Sequence, residues 1–316
     1  MSQPLSGTDP IRRRIEALST QLSLPTVRRA MGILEGEHPS GERGTGYDYL
    51  SVRPYEPGDE SRLIDWRSSA RMGRPMVTER ERLTTSRVWL LMDAGIEMGA
   101  TTPSGESAAA VAANALRMFA ALSLRRSDEV SVVLADSSSI RRTPSRGGFA
   151  QFERTLDQAL EGALTTGRNL DALLDYAMRL RDSRTLLVLA TDESAIGERQ
   201  MTVISKLART HPLTVVTVAG LNPFSPDSTF GPVVDGRSGR QVPAFLCGRR
   251  EAQDVETHRR YQAQALKRDL ARSGSTLIRS GSSQGMFTQF VRLLSTTLTA
   301  SGPASGLGPM TTEGAR

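Results

Sequence analysis

The chain has 316 residues, 38% of them hydrophobic, and a formal net charge of +6; that is room for about two ordinary domains and too much apolar content for a disordered chain. No apolar run reaches the roughly 18 residues of a membrane span, and the start, MSQPLSGTDPIRRRIEAL, lacks the apolar stretch of a secretion signal. Cys247 is the single cysteine, which excludes an internal disulfide and fits a reducing compartment, so the expected localisation is cytoplasmic.

A first helix is expected over IRRRIEALSTQL, with Asp9 as its cap and Pro10 in its first turn. Pro25 ends or restarts helical structure before TVRRAMGILEG. The stretch from Ser40 to Ser86 is charged and Gly-rich. It carries weak helix and strand signals and is broken by turns at Pro57-Gly58 and Gly73-Arg74-Pro75. From residue 86 the pattern changes. SRVWLLMDAG reads as a buried strand ending in an acid. SGESAAAVAANALRMFAALSLRR reads as a long helix capped at Ser104. DEVSVVLAD is a strand, and GFAQFERTLDQALEG and NLDALLDYAMRLRD are helices, the second capped near Asn169. RTLLVLATDES is again a buried strand ending in an acid. GERQMTVISKLART is a helix, HPLTVVTVAG a strand, and residues 221–247 a loop. REAQDVETHRRYQAQALKRDLARSG, STLIRSG and GMFTQFVRLLSTTL complete the alternation as helix, strand and helix. The expected division is an N-terminal arm with its helices over 1–85, an α/β domain over 86–298 and a disordered tail over 299–316. Such alternation with apolar strands predicts a mostly parallel sheet covered by helices on both faces.

Two groups of residues invite a functional reading. The first is YEPGDESRLIDWRSSAR, residues 55–71, with Arg53 just before it. Pro57-Gly58 suits a tight turn. Asp59 and Asp65 can pair with Arg53, Arg62 and Arg71, and Trp66 can anchor the segment on the core. The segment reads either as a catalytic or binding cluster or as a clasp tying the arm to the main sheet. The residue types favour the clasp, because catalysis calls for a His, a Cys or an activated Ser nearby, and His38, His211 and His258 fall in unrelated contexts. The second group is the pair of acids at strand ends, Asp93 and Asp192. Carboxyl ends of parallel strands are where sites form, and two acids there can bind a divalent cation or simply cap helices. GERGTG lacks the following GK[ST] of a phosphate-binding loop.

Residues 44–71 followed by VWLLMDAG resemble the bacterial DUF58 family. The matching residues are Gly44, Gly46, Asp48, Tyr49, Arg53, Tyr55, Pro57, Gly58, Asp59, Arg62, Ile64, Asp65, Trp66, Ala70 and Arg71. The resemblance extends over about residues 30–295, including VVDGRSGR at 233–240. It implies a von Willebrand A-like, Rossmann-like sheet with an irregular N-terminal arm and a small β insertion. It also implies partnership with a MoxR-type AAA+ ATPase, as an adaptor or chaperone partner without established biochemical activity. A metal-binding domain of this kind carries Asp-x-Ser-x-Ser after its first strand and a Gly-Thr-Asp-Leu loop. Here those read Asp93-Ala94-Gly95-Ile96-Glu97 and Gly167-Arg168-Asn169-Leu170. Both serine hydroxyls are gone and an arginine stands where the threonine would be. No cofactor is therefore expected and magnesium is disfavoured; if a metal bound, Asp93, Glu97 and Asp192 would hold it. Arg168 is expected to take the metal's place, pairing with Asp93, Glu97 or Asp192.

Three functions follow. The first is a non-enzymatic interaction module that uses the carboxyl edge of the sheet and the arm to bind a MoxR-type ATPase, a client protein, or both. The second is a magnesium-dependent binding domain. The third is a nucleic-acid binder, motivated by a pI near 10.0 but opposed by 5% aromatic content and by basic residues interleaved with acids. A hydrolase built on Asp59 and Asp65 is disfavoured, since the surrounding arginines suit an ion pair better than a general acid.

Overall fold

The computed structural model describes residues 10–22, 24–34, 43–44, 48–56, 59, 61, 64–81, 86–145, 147–182, 185–225, 233–235 and 238–300. The expected cap Asp9, the Pro57-Gly58 turn, Arg62, His38 and the tail beyond residue 300 lie outside them.

Two helices open the described chain, α1 (Pro10–Gln21) and α2 (Leu24–Leu34), with Pro25 in the first turn of α2, where its missing N–H costs nothing. The arm follows. β1 (Arg43–Gly44) and β2 (Asp48–Pro54) precede a short helix, α3 (Trp66–Met72), and β3 (Met76–Glu81). These strands form an antiparallel sheet in the order β1-β3-β2. The expected irregular arm is thus a small sheet of its own. Its β signal is weak in sequence because the strands are short and polar.

The main domain runs β4 (Arg87–Asp93), α4 (Ala108–Arg125), β5 (Glu129–Ala135), β6 (Ile140–Pro144), α5 (Phe149–Glu161), α6 (Leu170–Met178), β7 (Leu186–Asp192), α7 (Glu198–Thr210), β8 (Leu213–Val218), α8 (Arg249–Arg272), β9 (Thr276–Ser280) and α9 (Ser283–Ala300). Its six strands lie in the order β6-β5-β4-β7-β8-β9. All neighbours are parallel except β5 and β6, which are antiparallel. This is the mostly parallel, doubly covered sheet expected above. Its order reverses between β4 and β7, where open α/β sheets place their sites.

Alternation along each strand splits the core. Val88, Leu90 and Met92 of β4 face α1, α2, α4, α5 and α9, while Trp89 and Leu91 face α6, α7 and α8. Burial on both faces explains the near-continuous apolar runs of the strands. α4 lies deepest, with Phe119 packed edge-on against Phe290 of α9 at 4.9 Å. Ile11 and Ile15 of α1 and Val27, Ala30 and Met31 of α2 are buried in the same cluster. The helices that precede the arm therefore share the core of the domain that follows it.

Two expectations are corrected and one strand is added. Ser104 does not cap α4; Ser107 does, its Oγ accepting Ala110 N at 3.2 Å. Ser104 instead donates to Glu106 Oε2 at 2.7 Å in the preceding turn. The helix starts later because the chain first makes a tight loop, in which Thr102 N donates to Glu106 O and Ala108 N to Ala100 O. β6 is a strand for which the sequence raised no expectation. IRRTP is short and arginine-rich, a composition that suits an exposed edge strand, and Arg142 lies over the Trp89 ring at 4.5 Å. Among the described residues of the 233–240 region, Val234 bridges to Gln241 and Asp235 Oδ1 accepts Ser238 N at 2.6 Å.

Candidate functional site

The described residues of 55–71 form ion pairs and caps and do not assemble a catalytic cluster. Asp59 accepts both guanidinium nitrogens of Arg53, at 2.8 and 2.6 Å, and Glu56 N at 2.9 Å. Among the described residues, Asp65 pairs with no arginine side chain. It is the N-cap of α3 and accepts Arg67 N at 3.0 Å, Ser68 N at 3.1 Å and Ser68 Oγ at 2.6 Å. The Ser68 hydroxyl and amide hold its carboxyl below the usual carboxylate range, which removes it as a general acid. Ser69 pins the helix to β3, donating to Asp65 O at 2.7 Å and accepting Met76 N at 2.8 Å. Gly73 closes the helix in the left-handed region, φ 65°. Trp66 is not a core anchor; it is 72% exposed, at the first position of a short helix of which only Ser69 is buried. Tyr55 and Arg71 are exposed too. The contacts of Asp65 and Ser69 close the arm on itself rather than on the main sheet.

The acids at the strand ends do converge. Asp93 ends β4 and Asp192 ends β7, the two strands that flank the reversal of order. Between them runs the loop 163–169, which turns at Leu164 with φ 62°. Backbone bonds strap it across the sheet: Leu164 N to Ala94 O, Ile96 N to Thr166 O and Ser137 N to Gly167 O. The loop ends at Asn169, whose Oδ1 caps α6 by accepting Ala172 N at 3.0 Å.

This framework places Arg168 between the acids. Its Nε donates to Asp93 Oδ2 at 2.5 Å, its Nη2 to Asp192 Oδ2, and its backbone N to Glu97 Oε2 at 2.9 Å. Asp93 is fully buried and also accepts Gly95 N at 3.0 Å and Thr191 Oγ1 at 2.9 Å. The other oxygen of Asp192 accepts Ser194 N, Ser194 Oγ and Ala195 N. Burial opposes the charge on Arg168, but Asp192 and Asp93 outweigh it and hold its pKa above that of a free arginine. The guanidinium stays charged at any physiological pH.

These residues do not fit a divalent cation. The guanidinium already lies against both strand-end acids, where a second cation would face a fixed positive charge. Gly95 offers no side-chain ligand. A Cβ built there would meet Arg168 Cα at 2.6 Å, Arg168 N at 2.7 Å and Glu97 Oε2 at 2.7 Å, so a serine ligand could not be restored without moving the loop. Among the described residues no group of three or more His, Cys, Asp or Glu has metal-holding geometry. Gly95→Ser is accordingly expected to destabilise the protein by about 1–3 kcal/mol through overpacking. Urea unfolding measures this, and an unchanged midpoint would mean that the loop yields freely.

Sequence reasoning missed Glu193. It directly follows Asp192 and joins two arginines: Oε2 accepts Arg279 Nε at 2.7 Å, and Oε1 lies 3.3 Å from Arg259 Nε. Together they floor a depression of about 470 Å³ beside Ser104, Asn222 and Ser282. The signal available was the double acid of ATDES; its partners lie 66 and 86 residues away and carry no local mark. Of the histidines, His211 is buried and accepts from or donates to Thr210 Oγ1 at 2.9 Å, while His258 is exposed. Neither reaches the acids described above in any hydrogen bond or ion pair.

No helix among the described residues is long and apolar enough to cross a membrane. Comparison with known proteins gives the following. The uncharacterized protein Mb1516 of Mycobacterium bovis and the uncharacterized protein Rv1480 of Mycobacterium tuberculosis are each 28% identical over 188 residues. That stretch covers 57% of this chain and only 57% of each relative's length. Among solved structures, an aerotolerance-related membrane protein from Bacteroides fragilis aligns at 12% identity, with a TM-score of 0.42, over 67% of this chain and 99% of that one. The SpRpn10 VWA domain aligns at 10% identity, with a TM-score of 0.35, over 69% of this chain and 96% of that one. Both TM-scores are below 0.5, so the fold assignment rests on the strand order above. The profile described as "Protein of unknown function DUF58" matches residues 51–222, more than half of the chain. The motif of the arm, the strand ending in Asp93 and this match together make the chain a member of the DUF58 family.

Proposed function

We propose that the protein is a non-enzymatic interaction module of the cytoplasm, an adaptor that works with a MoxR-type AAA+ ATPase in protein maturation or complex assembly. The observation that carries the reading is Arg168. At the reversal point of the sheet, where an α/β enzyme would hold a cofactor or a catalytic acid, both strand-end acids are paired with one internal guanidinium that stays charged. The hydroxyls of Thr191 and Ser194 donate to carboxylates that the Arg168 guanidinium already holds, an arrangement that suits a fixed structural network. An ion pair of this kind holds the loops 94–107 and 163–169 in one arrangement, which suits a rigid recognition edge.

The test is a pull-down of the purified protein against a MoxR-type ATPase from the same organism, with ATP, with ADP, and with EDTA. Binding that survives EDTA with ADP or without nucleotide supports a metal-independent adaptor. Binding abolished by EDTA under those conditions transfers support to a magnesium-dependent domain. Absence of binding in every condition removes the ATPase as partner.

A further inference from the structure

Helix α3 turns most of its surface to solvent. Five of its seven residues, Trp66, Arg67, Ala70, Arg71 and Met72, are exposed, and Ser69 alone is buried. Trp66 is 72% exposed and Met72 63%. Arg74, in the turn that follows, is exposed as well. The one acid of the segment 64–75, Asp65, already caps the helix with both carboxylate oxygens. At about 100° per residue Trp66, Arg67, Ala70 and Arg71 share one side of the helix and Met72 lies about 120° round from Trp66, so the exposed surface of α3 with Arg74 presents an indole, a thioether and three guanidinium groups, with no further acid of its own segment. Nothing in the arm's fold calls for an indole there: the cap and the Ser69 pin hold α3 without it, and a polar residue at the first helical position would serve as well.

We infer that this face of α3 is the docking surface for an acidic, partly apolar segment of a partner protein. Tryptophan and arginine dominate the energetic centres of protein interfaces, and methionine is enriched in them. Three arginines offer bidentate forks to carboxylates, and the apolar bodies of Trp66 and Met72 call for apolar side chains between those carboxylates. Nucleic acid fits less well. A seven-residue helix is about 10 Å long and cannot align the row of phosphate contacts that duplex binding needs, and no second aromatic of α3 is present to build a stacking platform. The inference rests on the reading of the chain as an interaction module, but it concerns elements other than the Arg168 loop, and its test does not involve the ATPase.

The probe is a short dye-labelled peptide of glutamates and leucines, titrated by fluorescence anisotropy, with a lysine-leucine peptide as its counterpart. A parallel readout is Trp66 emission, which is separable because the only other tryptophan, Trp89, is 9% exposed and remains in Trp66→Phe. The acidic peptide is expected to bind saturably, to weaken with salt and to shift Trp66 emission to the blue. Trp66→Ala is expected to weaken binding at least about tenfold. The triple variant Arg67→Glu, Arg71→Glu, Arg74→Glu is expected to lose the acidic peptide and gain the basic one. Circular dichroism confirms the fold of each variant, all the altered side chains being exposed. The inference is overturned if wild type ignores the acidic peptide or if the variants bind it equally. It is also overturned if a duplex oligonucleotide or phosphatidylglycerol vesicles bind this face more tightly, or if Trp66→Ala abolishes a self-association that assigns the face to a second copy of the chain.

Discussion

Arg168→Ala is expected to cost about 3 kcal/mol of stability at neutral pH. Asp93 has no solvent exposure and Asp192 very little, and the guanidinium reaches one oxygen of each. Removing it leaves a buried carboxylate uncompensated, which is far more costly than never having had the pair. The loss should depend on pH in a defined sense. With the cation gone, the two carboxylates repel, and a proton on either relieves the repulsion. Uptake of a proton by the folded variant favours folding at low pH, so the variant's deficit should shrink as pH falls. Magnesium is expected to raise the melting temperature of the variant but not of the wild type, because binding to the native state stabilises by mass action only where a site exists. Arg168→Lys keeps a charge but not the fork that spans both acids, and should fall between the two. Equal urea midpoints for wild type and Arg168→Ala at neutral pH would show that the loop reorganises and that the pair does not organise the site.

Asp157→Asn should be comparably severe although it lies far in sequence from any motif. Asp157 of α5 accepts Arg117 Nη2 at 2.5 Å and both guanidinium nitrogens of Arg12, each at 2.9 Å. Arg117 is 2% exposed in the middle of α4. Burial, and next the nearby Arg12 charge, lower its pKa to about 10 while Asp157 and Glu153 oppose the fall, so the arginine is still charged at neutral pH. Glu153 is a weaker partner: burial raises its own pKa, and it stands 3.8 Å from Arg117. Without Asp157 two cations face each other, one of them buried, and a loss of about 3–5 kcal/mol is expected, roughly 10 °C in melting temperature for a chain of this size. Adding Arg117→Met to Asp157→Asn should recover most of that loss, because it removes the orphaned charge and keeps the volume. A double variant no more stable than the single one would refute this account.

The element order was legible because burial on both faces of a parallel sheet leaves a strong local mark. VWLLM, VSVVL, LLVLA and LTVVTV read as strands without reference to anything distant. Asn169 was legible as a cap for the same local reason. β6 was not, because an edge strand half open to solvent has no need of an apolar run, and IRRTP shows none. α3 was hidden by its length: seven residues carry too few turns to show a helical period, and its stability comes from Asp65 and Ser69. Asp65 was readable as an acid rich in neighbouring arginines, yet the bonds it makes are with two backbone amides and the Ser68 hydroxyl of the helix it caps. Arg117 carried a signal that went unused, a charge inside AANALRMFAAL, where an apolar helix has no solvent-facing side to hold it.

By itself the sequence determined the alternation of strands and helices, the placing of Asp93 and Asp192 at strand ends, and the absence of serine ligands between residues 93 and 97, all properties of neighbours along the chain. Tertiary structure decided what those acids meet. The approach of the 163–169 loop to Gly95, the seat of Arg168 between two strands, the burial of Arg117 beside Asp157 and the exposure of Trp66 depend on segments tens of residues apart. A charge that is costly alone and stable when paired is settled only when folding brings its partner within hydrogen-bond reach.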